Sequence, residues 1–384
     1  MRILAVTPYY PPEGGGLERY AHEILSRLAG RGHDVEALSF TKGTGPTDFA
    51  RPHEVQVEGV SLTRLRPPFI VGNSPVSPAF LGQVRRRIRE TRPDVVVGHS
   101  PVPFPAEMAF LAARKEEVPF VLTYHAGMLH GSSPLLAAVA ALDRATLQDR
   151  MVTKAAGLIA VGPYVRDNAL ARARGPVTVI PPGVDAARFR SAGPPPGPNI
   201  LFVAPLARGY RWKGLDVIWE AFPRVLKRVP GATLTLVGGG DRLGEFQRAA
   251  RPGDVRVLGR IGEEALLDEY RRAAVVVLPS TSDAESFGMV LAEANACGRP
   301  VVASDVGGIP DFVRHGDNGL LARAGDAGDL AAKLIQVLSD PERARAMGEN
   351  GRARVAREHH WDGLAARTEA ALSQAVGDSE GPRG

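Results

Sequence analysis

The sequence predicts an α/β protein made of two doubly wound domains. Short apolar runs suited to buried parallel strands alternate with amphipathic helical segments. The alternation breaks once, at Gly193-Pro194-Pro195-Pro196-Gly197-Pro198, where proline blocks both helix and ladder pairing, and then restarts. A length of 384 residues fits two domains at about 100–200 residues each. Strand–helix alternation on both sides of a linker implies two layered α/β domains with a cleft between them. The expected division is 1–190, a linker at 191–198, a second domain at 199–357, a C-terminal helix at 358–376 packing back toward the N-terminal domain, and a disordered tail at 377–384.

Residues 2–7 form the first expected strand, followed by the loop Tyr9-Tyr10-Pro11-Pro12-Glu13-Gly14-Gly15-Gly16. Leu17, Tyr20, Ala21, Ile24, Leu25 and Leu28 recur at helical spacing, and Gly30 and Gly32 suit the end of that helix. Further strands are expected at 34–38, 94–97, 120–123, 158–161 and 177–180. Beyond the linker they are expected at 200–203, 233–237, 255–258, 275–278 and 300–303.

Composition removes several classes. The chain is 44% hydrophobic and 23% charged, ordinary for a globular protein and unlike a disordered or coiled-coil chain. One cysteine, Cys297, excludes an internal disulfide framework and a cysteine-based metal site, and the nine histidines show no ligand spacing. The longest apolar run, Leu135 to Leu142, is far short of the ~20 residues that span a bilayer. The N-terminus turns polar too early for a signal peptide, so a cytoplasmic protein is expected.

Residues 1–190 carry 23 Lys and Arg against 17 Asp and Glu, while the remainder carry 24 against 25. The basic first half suits an anionic partner, although 41 of the 47 basic residues are Arg, as in an arginine-rich proteome. Val84-Arg85-Arg86-Arg87-Ile88-Arg89 reads either as a solvated helix face or as a helix lying on anionic lipid. No aromatics interleave with these arginines, so nucleic acid is not expected as a partner.

Two segments carry chemistry. Gly14-Gly15-Gly16 stands between a strand and a helix N-terminus, which suits either a tight turn or an approach to phosphate. The other is Asp283-Ala284-Glu285-Ser286-Phe287-Gly288-Met289-Val290-Leu291-Ala292-Glu293-Ala294, after the strand at 275–278. Its helix is expected from about Phe287 to Cys297, capped by Gly298. The amides of Phe287, Gly288, Met289 and Val290 then fall among the first-turn donors that suit a diphosphate. Glu285 would lie just before that helix, and Glu293 a little over one turn beyond Met289, both positioned to accept from sugar hydroxyls. The plainer readings are a dipole partner for Glu285 and a solvated face for Glu293.

Glu285 and Glu293, followed by Ala296-Cys297-Gly298-Arg299-Pro300 and Gly307-Gly308-Ile309-Pro310-Asp311, resemble the donor site of retaining glycosyltransferase family 4. Tyr9-Tyr10-Pro11-Pro12, Ile180-Pro181-Pro182-Gly183-Val184-Asp185, Lys213-Gly214-Leu215-Asp216 and Leu236-Val237-Gly238-Gly239-Gly240-Asp241 extend the likeness over nearly the whole chain. The resemblance implies the GT-B fold, two Rossmann-like domains facing across a cleft. It implies transfer of a hexose (glucose, N-acetylglucosamine or mannose) from a UDP- or GDP-sugar to an acceptor hydroxyl on a sugar, a lipid-linked molecule or a small molecule. A nucleotide-sugar epimerase and a non-catalytic nucleotide-sugar-binding protein are the alternatives.

By the same resemblance Lys213 contacts the donor diphosphate, Glu293 the ribose and Glu285 the transferred sugar. Gly15 and Gly16 belong to the loop closing on phosphate and acceptor, and the backbone at Arg260 and Ile261 reads the base. His125 stands at the donor–acceptor junction, with His99 and Tyr10 as acceptor-side candidates. The catalytic group is thus His125, Glu285 and Lys213. The family arginine is replaced here by Pro205, and Arg208 is favoured over Arg211 as its substitute. Without an Asp-x-Asp motif, neither a metal nor another cofactor is expected, only the nucleotide sugar as co-substrate.

Overall fold

A computed structural model describes residues 1–43, 53–126, 147–190 and 193–380. The apolar run 135–142, residues 191 and 192 of the expected linker and the last four residues lie outside this set. The chain forms two compact units, one of residues 1–182 with 361–384 and the other of residues 183–360.

In the first unit, β1 (Arg2–Val6), β2 (Asp34–Phe40), β3 (His53–Val57) and β4 (Val60–Leu65) precede the hairpin β5 (Phe69–Val71) and β6 (Ser74–Val76). They are followed by β7 (Val95–Ser100), β8 (Phe120–Tyr124), β9 (Gly157–Ala160) and β10 (Val177–Val179). The main sheet runs β10-β9-β8-β7-β1-β2-β4-β3. Its pairings are parallel except at the β3/β4 edge. Residues 53–65, 69–76 and the short 319–322 strand were absent from the sequence expectation. His53-Glu-Val-Gln-Val alternates polar and apolar residues, as an edge strand does, rather than forming an apolar run.

Helix Gly16–Gly30 buries Tyr20, Ala21, Ile24, Leu25 and Leu28, the stripe its spacing announces. Helix Trp361–Glu380 belongs to this same unit. It lays Leu364, Ala365, Leu372 and Ala375 inward and sets the Trp361 ring edge-on to Tyr20 at 5.8 Å. Arg27 reaches Asp362 at 2.9 Å, and Glu369 accepts from Arg31 at 2.6 Å. The helix runs through Glu380, so residues 377–380, expected as disordered tail, are helical.

The second unit contains β11 (Asn199–Val203), β12 (Thr233–Val237), β13 (Val255–Gly259), β14 (Val275–Leu278), β15 (Val301–Ser304) and β16 (Gly319–Ala322). They form a parallel sheet in the order β13-β12-β11-β14-β15-β16. The second unit begins at Gly183, ahead of the expected 190/191 boundary. Val184 and Phe189 sit in its core, and the Val184 amide donates to His359 O at 2.7 Å. Local burial outweighs the proline punctuation that suggested the later boundary. Among the described residues, no helix is long and apolar enough to cross a membrane.

Candidate functional site

In each sheet the strand order reverses beside the first strand of the unit, at β1/β7 and at β11/β14. In doubly wound sheets the loops leaving such a switch point frame a crevice at the strands' carboxyl ends. The loop after β11 leads to Lys213, and the loop after β14 leads to Glu285.

Lys213 ends a 3₁₀ helix, Arg208–Lys213, and its Nζ donates to Glu285 Oε2 at 2.7 Å. Ser280 Oγ donates to the same oxygen at 3.0 Å. The Thr281 amide donates to Trp212 O at 2.7 Å, tying the two loops together beside Lys213 and Ser280. Gly214 permits this approach. Its φ is +81°, and a Cβ there would fall 1.8 Å from Pro279 O. On the other side, the Gly308 amide donates to Glu285 O at 2.8 Å, and a Cβ on Gly308 would lie 1.9 Å from Ser286 O. The glycine pair at 307–308 thus gives the Glu285 segment a backbone rail that no side-chain-bearing residue could supply.

The helix after this segment spans Met289–Ala296, starting two residues later than expected, with Gly288 as its N-cap. Phe287 is drawn into the core instead, against Phe312 at 5.2 Å and His359 at 5.3 Å between ring centroids. The first-turn amides therefore begin at Met289 and Val290, while Phe287 and Gly288 lead into the helix. Glu293 is buried rather than on a solvated face, and Tyr270 Oη donates to it at 2.7 Å. Tyr270 was missed in the sequence. The only signal was a tyrosine at the buried end of the helix Glu263–Arg272, which says nothing of a partner on another helix. The Glu285/Glu293 segment, Lys213 and the 3₁₀ turn come together around the β11/β14 switch.

Arg208 and Arg211 lie outside that cluster. The Arg208 amide donates to Asp241 at 2.9 Å and its side chain is 81% exposed. Arg211 pairs with Asp216 at 3.2 Å. Asp216 also binds the largely buried Arg242 at 2.6 Å, and its carboxyl is held below the usual range mainly by that bond. Arg260 is exposed after β13, and Ile261 packs partly against the core.

In the first unit, Gly15 and Gly16 begin the helix Gly16–Gly30, but Glu18 fills its N-terminus and accepts from the Gly15 amide at 2.6 Å. Burial raises the Glu18 carboxyl above its ordinary range, with the Gly15 bond opposing. Tyr10, an acceptor-side candidate, is fully buried and its hydroxyl meets His22 Nδ1 at 3.1 Å.

His99, at the end of β7, and His125, after β8, form a pair: His99 Nδ1 lies 2.9 Å from His125 Nε2, with the rings stacked at 26°. Burial pushes His99 down to about 3 and His125 well below its ordinary value, so both are neutral near pH 7. Three arginines of the basic helix Phe80–Thr91 are paired within the first unit, while Arg86 stays exposed. Arg85 and Arg89 bind Glu116 at 2.7 and 2.8 Å, and Arg87 binds Glu36.

The family described as Glycosyltransferase Family 4 matches residues 14–188, and that described as Glycosyl transferases group 1 matches residues 197–340. Glycogen synthase of Mycobacterium tuberculosis is 33% identical over 395 aligned residues, spanning 96% of this chain and 93% of that protein. The GDP-mannose-dependent alpha-(1-6)-phosphatidylinositol monomannoside mannosyltransferase of the same organism is 31% identical over 398, spanning 95% and 96%. Among solved structures, sucrose-phosphate synthase from Thermosynechococcus elongatus matches with a TM-score of 0.79 at 23% identity, covering 98% of this chain and 99% of that one.

Proposed function

The chain belongs to glycosyltransferase family 4, with the two Rossmann-like domains of the GT-B fold, and from that premise we propose that it transfers a hexose from a UDP- or GDP-sugar to an acceptor hydroxyl with retention of configuration. The observation that carries this reading is the Lys213–Glu285–Ser280 cluster beside the N-terminus of the helix bearing Glu293. A diphosphate at Lys213 and the Met289 and Val290 amides would meet a cation and helix-end donors. These stabilise the charge that grows on the leaving group. Glu285 accepts from hydroxyls of the transferred sugar and Glu293 from the ribose. Arg260 and Ile261 present their backbone to the base, and Arg208 approaches the phosphate from its exposed loop.

In this reading His125 and the Gly15–Gly16 loop are the acceptor-side residues. Transfer proceeds on the face the diphosphate leaves, whose oxygen takes the acceptor proton. The positive charge comes from the protein, so neither a divalent metal nor another cofactor is required. The similar proteins named above act in glycogen synthesis and on a mannosylated phosphatidylinositol. The acceptor class proposed here accordingly stays at sugar, lipid-linked or small-molecule hydroxyl.

The test presents UDP- and GDP-hexoses with an acceptor panel and measures nucleoside diphosphate release and the anomeric configuration of the product. Acceptor-dependent release with the donor's configuration kept is expected. Inversion, or binding without turnover across the panel, overturns the proposal. A thermal-shift screen against nucleoside diphosphates chooses the base, because a ligand that binds only the folded state raises its apparent stability.

A further inference from the structure

The His99–His125 pair has one proton to share across its 2.9 Å contact, because burial keeps both rings neutral. One ring must donate and the other accept. The remaining nitrogens of the pair are His99 Nε2 and His125 Nδ1. His99 is 2% exposed, and its Nε2 is sealed without a hydrogen-bond partner among the described residues. His125 is 8% exposed, and its Nδ1 is not among the sealed, unpartnered polar atoms. If His125 donated, His99 would carry its own proton on Nε2, as an orphaned buried N–H. If His99 donates from Nδ1, its Nε2 is only an unused lone pair. Orphaned buried N–H groups are the rarer of the two.

We propose that His99 is a positioning residue that donates from Nδ1 to His125 Nε2, and so fixes His125 as the tautomer whose Nδ1–H faces outward as a hydrogen-bond donor. This deepens, and rests on, the acceptor-side reading of His125. The neighbouring elements hold the geometry. The His125 amide donates to Ser100 O at 2.9 Å, one residue beyond His99. The Tyr20 ring stands edge-on to His125 at 4.8 Å and is itself anchored by its hydroxyl on Ile180 O at 3.1 Å. The ring plane is thus set from two sides, leaving the position of the proton to His99. An Nδ1–H donor suits a sugar hydroxyl oxygen, whereas a bare Nδ1 would demand a proton from it.

The experiment records long-range proton–nitrogen spectra of the full chain labelled with ¹⁵N-histidine. It uses wild type, His99→Asn and His99→Phe, without substrate. Asn carries an amide nitrogen where Nδ1 stood and keeps the donor; Phe keeps the ring and loses it. His125 should show the Nδ1–H tautomer in wild type and in His99→Asn. In His99→Phe it should show the Nε2–H form or an average of the two. An Nε2–H tautomer in wild type, or an unchanged Nδ1–H tautomer in His99→Phe, overturns the proposal even if only one variant folds.

Turnover separates this proposal from the reading beneath it. His99→Phe should lower kcat about tenfold, the scale for losing one hydrogen bond. His99→Asn should stay within about threefold. Altered spectra with unaltered kcat would remove His125 from the reaction while leaving the pairing in place.

Discussion

Lys213 Nζ and Glu285 Oε2 stand 2.7 Å apart, joining residues far apart in the chain through the two loops of one topological switch point. Glu285 is nearly sealed and Lys213 one-fifth exposed, so the pair holds a cation at the surface against a carboxylate beneath it. A lysine placed this way can turn toward an incoming diphosphate while Glu285 keeps its Ser280 bond.

The pair gives Lys213 a structural part beside the phosphate-binding role proposed for it. Lys213→Ala should lower turnover about 10²–10³-fold, the scale for losing one donor to developing charge. It should also cost about 1–3 kcal/mol by leaving a buried carboxylate with a hydroxyl as its remaining partner. Adding Glu285→Gln should restore the thermal midpoint without restoring turnover. Melting curves and initial rates of the single and double variants check this, and equal melting of all three would remove the coupling.

The two glutamates should fail differently. Glu293→Gln should raise donor KM more than it lowers kcat, since the ribose does not react. Tyr270→Phe should do the same more weakly, because it frees Glu293 from its 2.7 Å partner without removing the carboxylate. Glu285→Gln should lower kcat and change which hexose is accepted. Donor-saturation kinetics on the three variants decide; a pure KM effect at Glu285 would make it a binding residue alone.

If Lys213 and the helix amides supply the positive charge, as proposed, transfer should persist in excess chelator at an undiminished rate. Abolition by chelator with recovery on adding magnesium or manganese would show that the protein's own charges are insufficient.

Stability should fall as the solution is acidified from about pH 6.5 toward 4. His99 is held down to about 3 and His125 also well below 6.5, so in this window the unfolded chain binds protons that the folded chain refuses. The unfolding free energy therefore rises with pH across the window, at up to about 1.4 kcal/mol per pH unit for each histidine, and levels off above it. Urea midpoints from pH 4.5 to 7.5 should show this slope, and His99→Phe should flatten it. An identical slope in the variant would assign the acid sensitivity to other groups.

Much was written locally. The stripe from Tyr20 to Leu28, the apolar strands and the segment from Glu285 to Glu293 announce themselves through periodicity, glycine placement and a resemblance spanning both domains. Those signals depend on neighbours in the chain, and residues 1–190 and 199–357 could be read as α/β without any knowledge of packing. Pairings across the chain could not be read that way. Nothing near Lys213 specifies that Gly214 must pass under Pro279 and bring its amine to Glu285. Nothing near Glu293 specifies Tyr270, and nothing near His99 specifies the ring of His125. Phe287 looked like a first-turn residue until Phe312 and His359 gave it a core to enter, and Tyr10 looked available until His22 closed on it. Secondary structure follows from short-range sterics and the spacing of apolar side chains. The partner of a buried polar atom is set by sheet order and loop crossing, which bring together donors and acceptors that the sequence keeps apart.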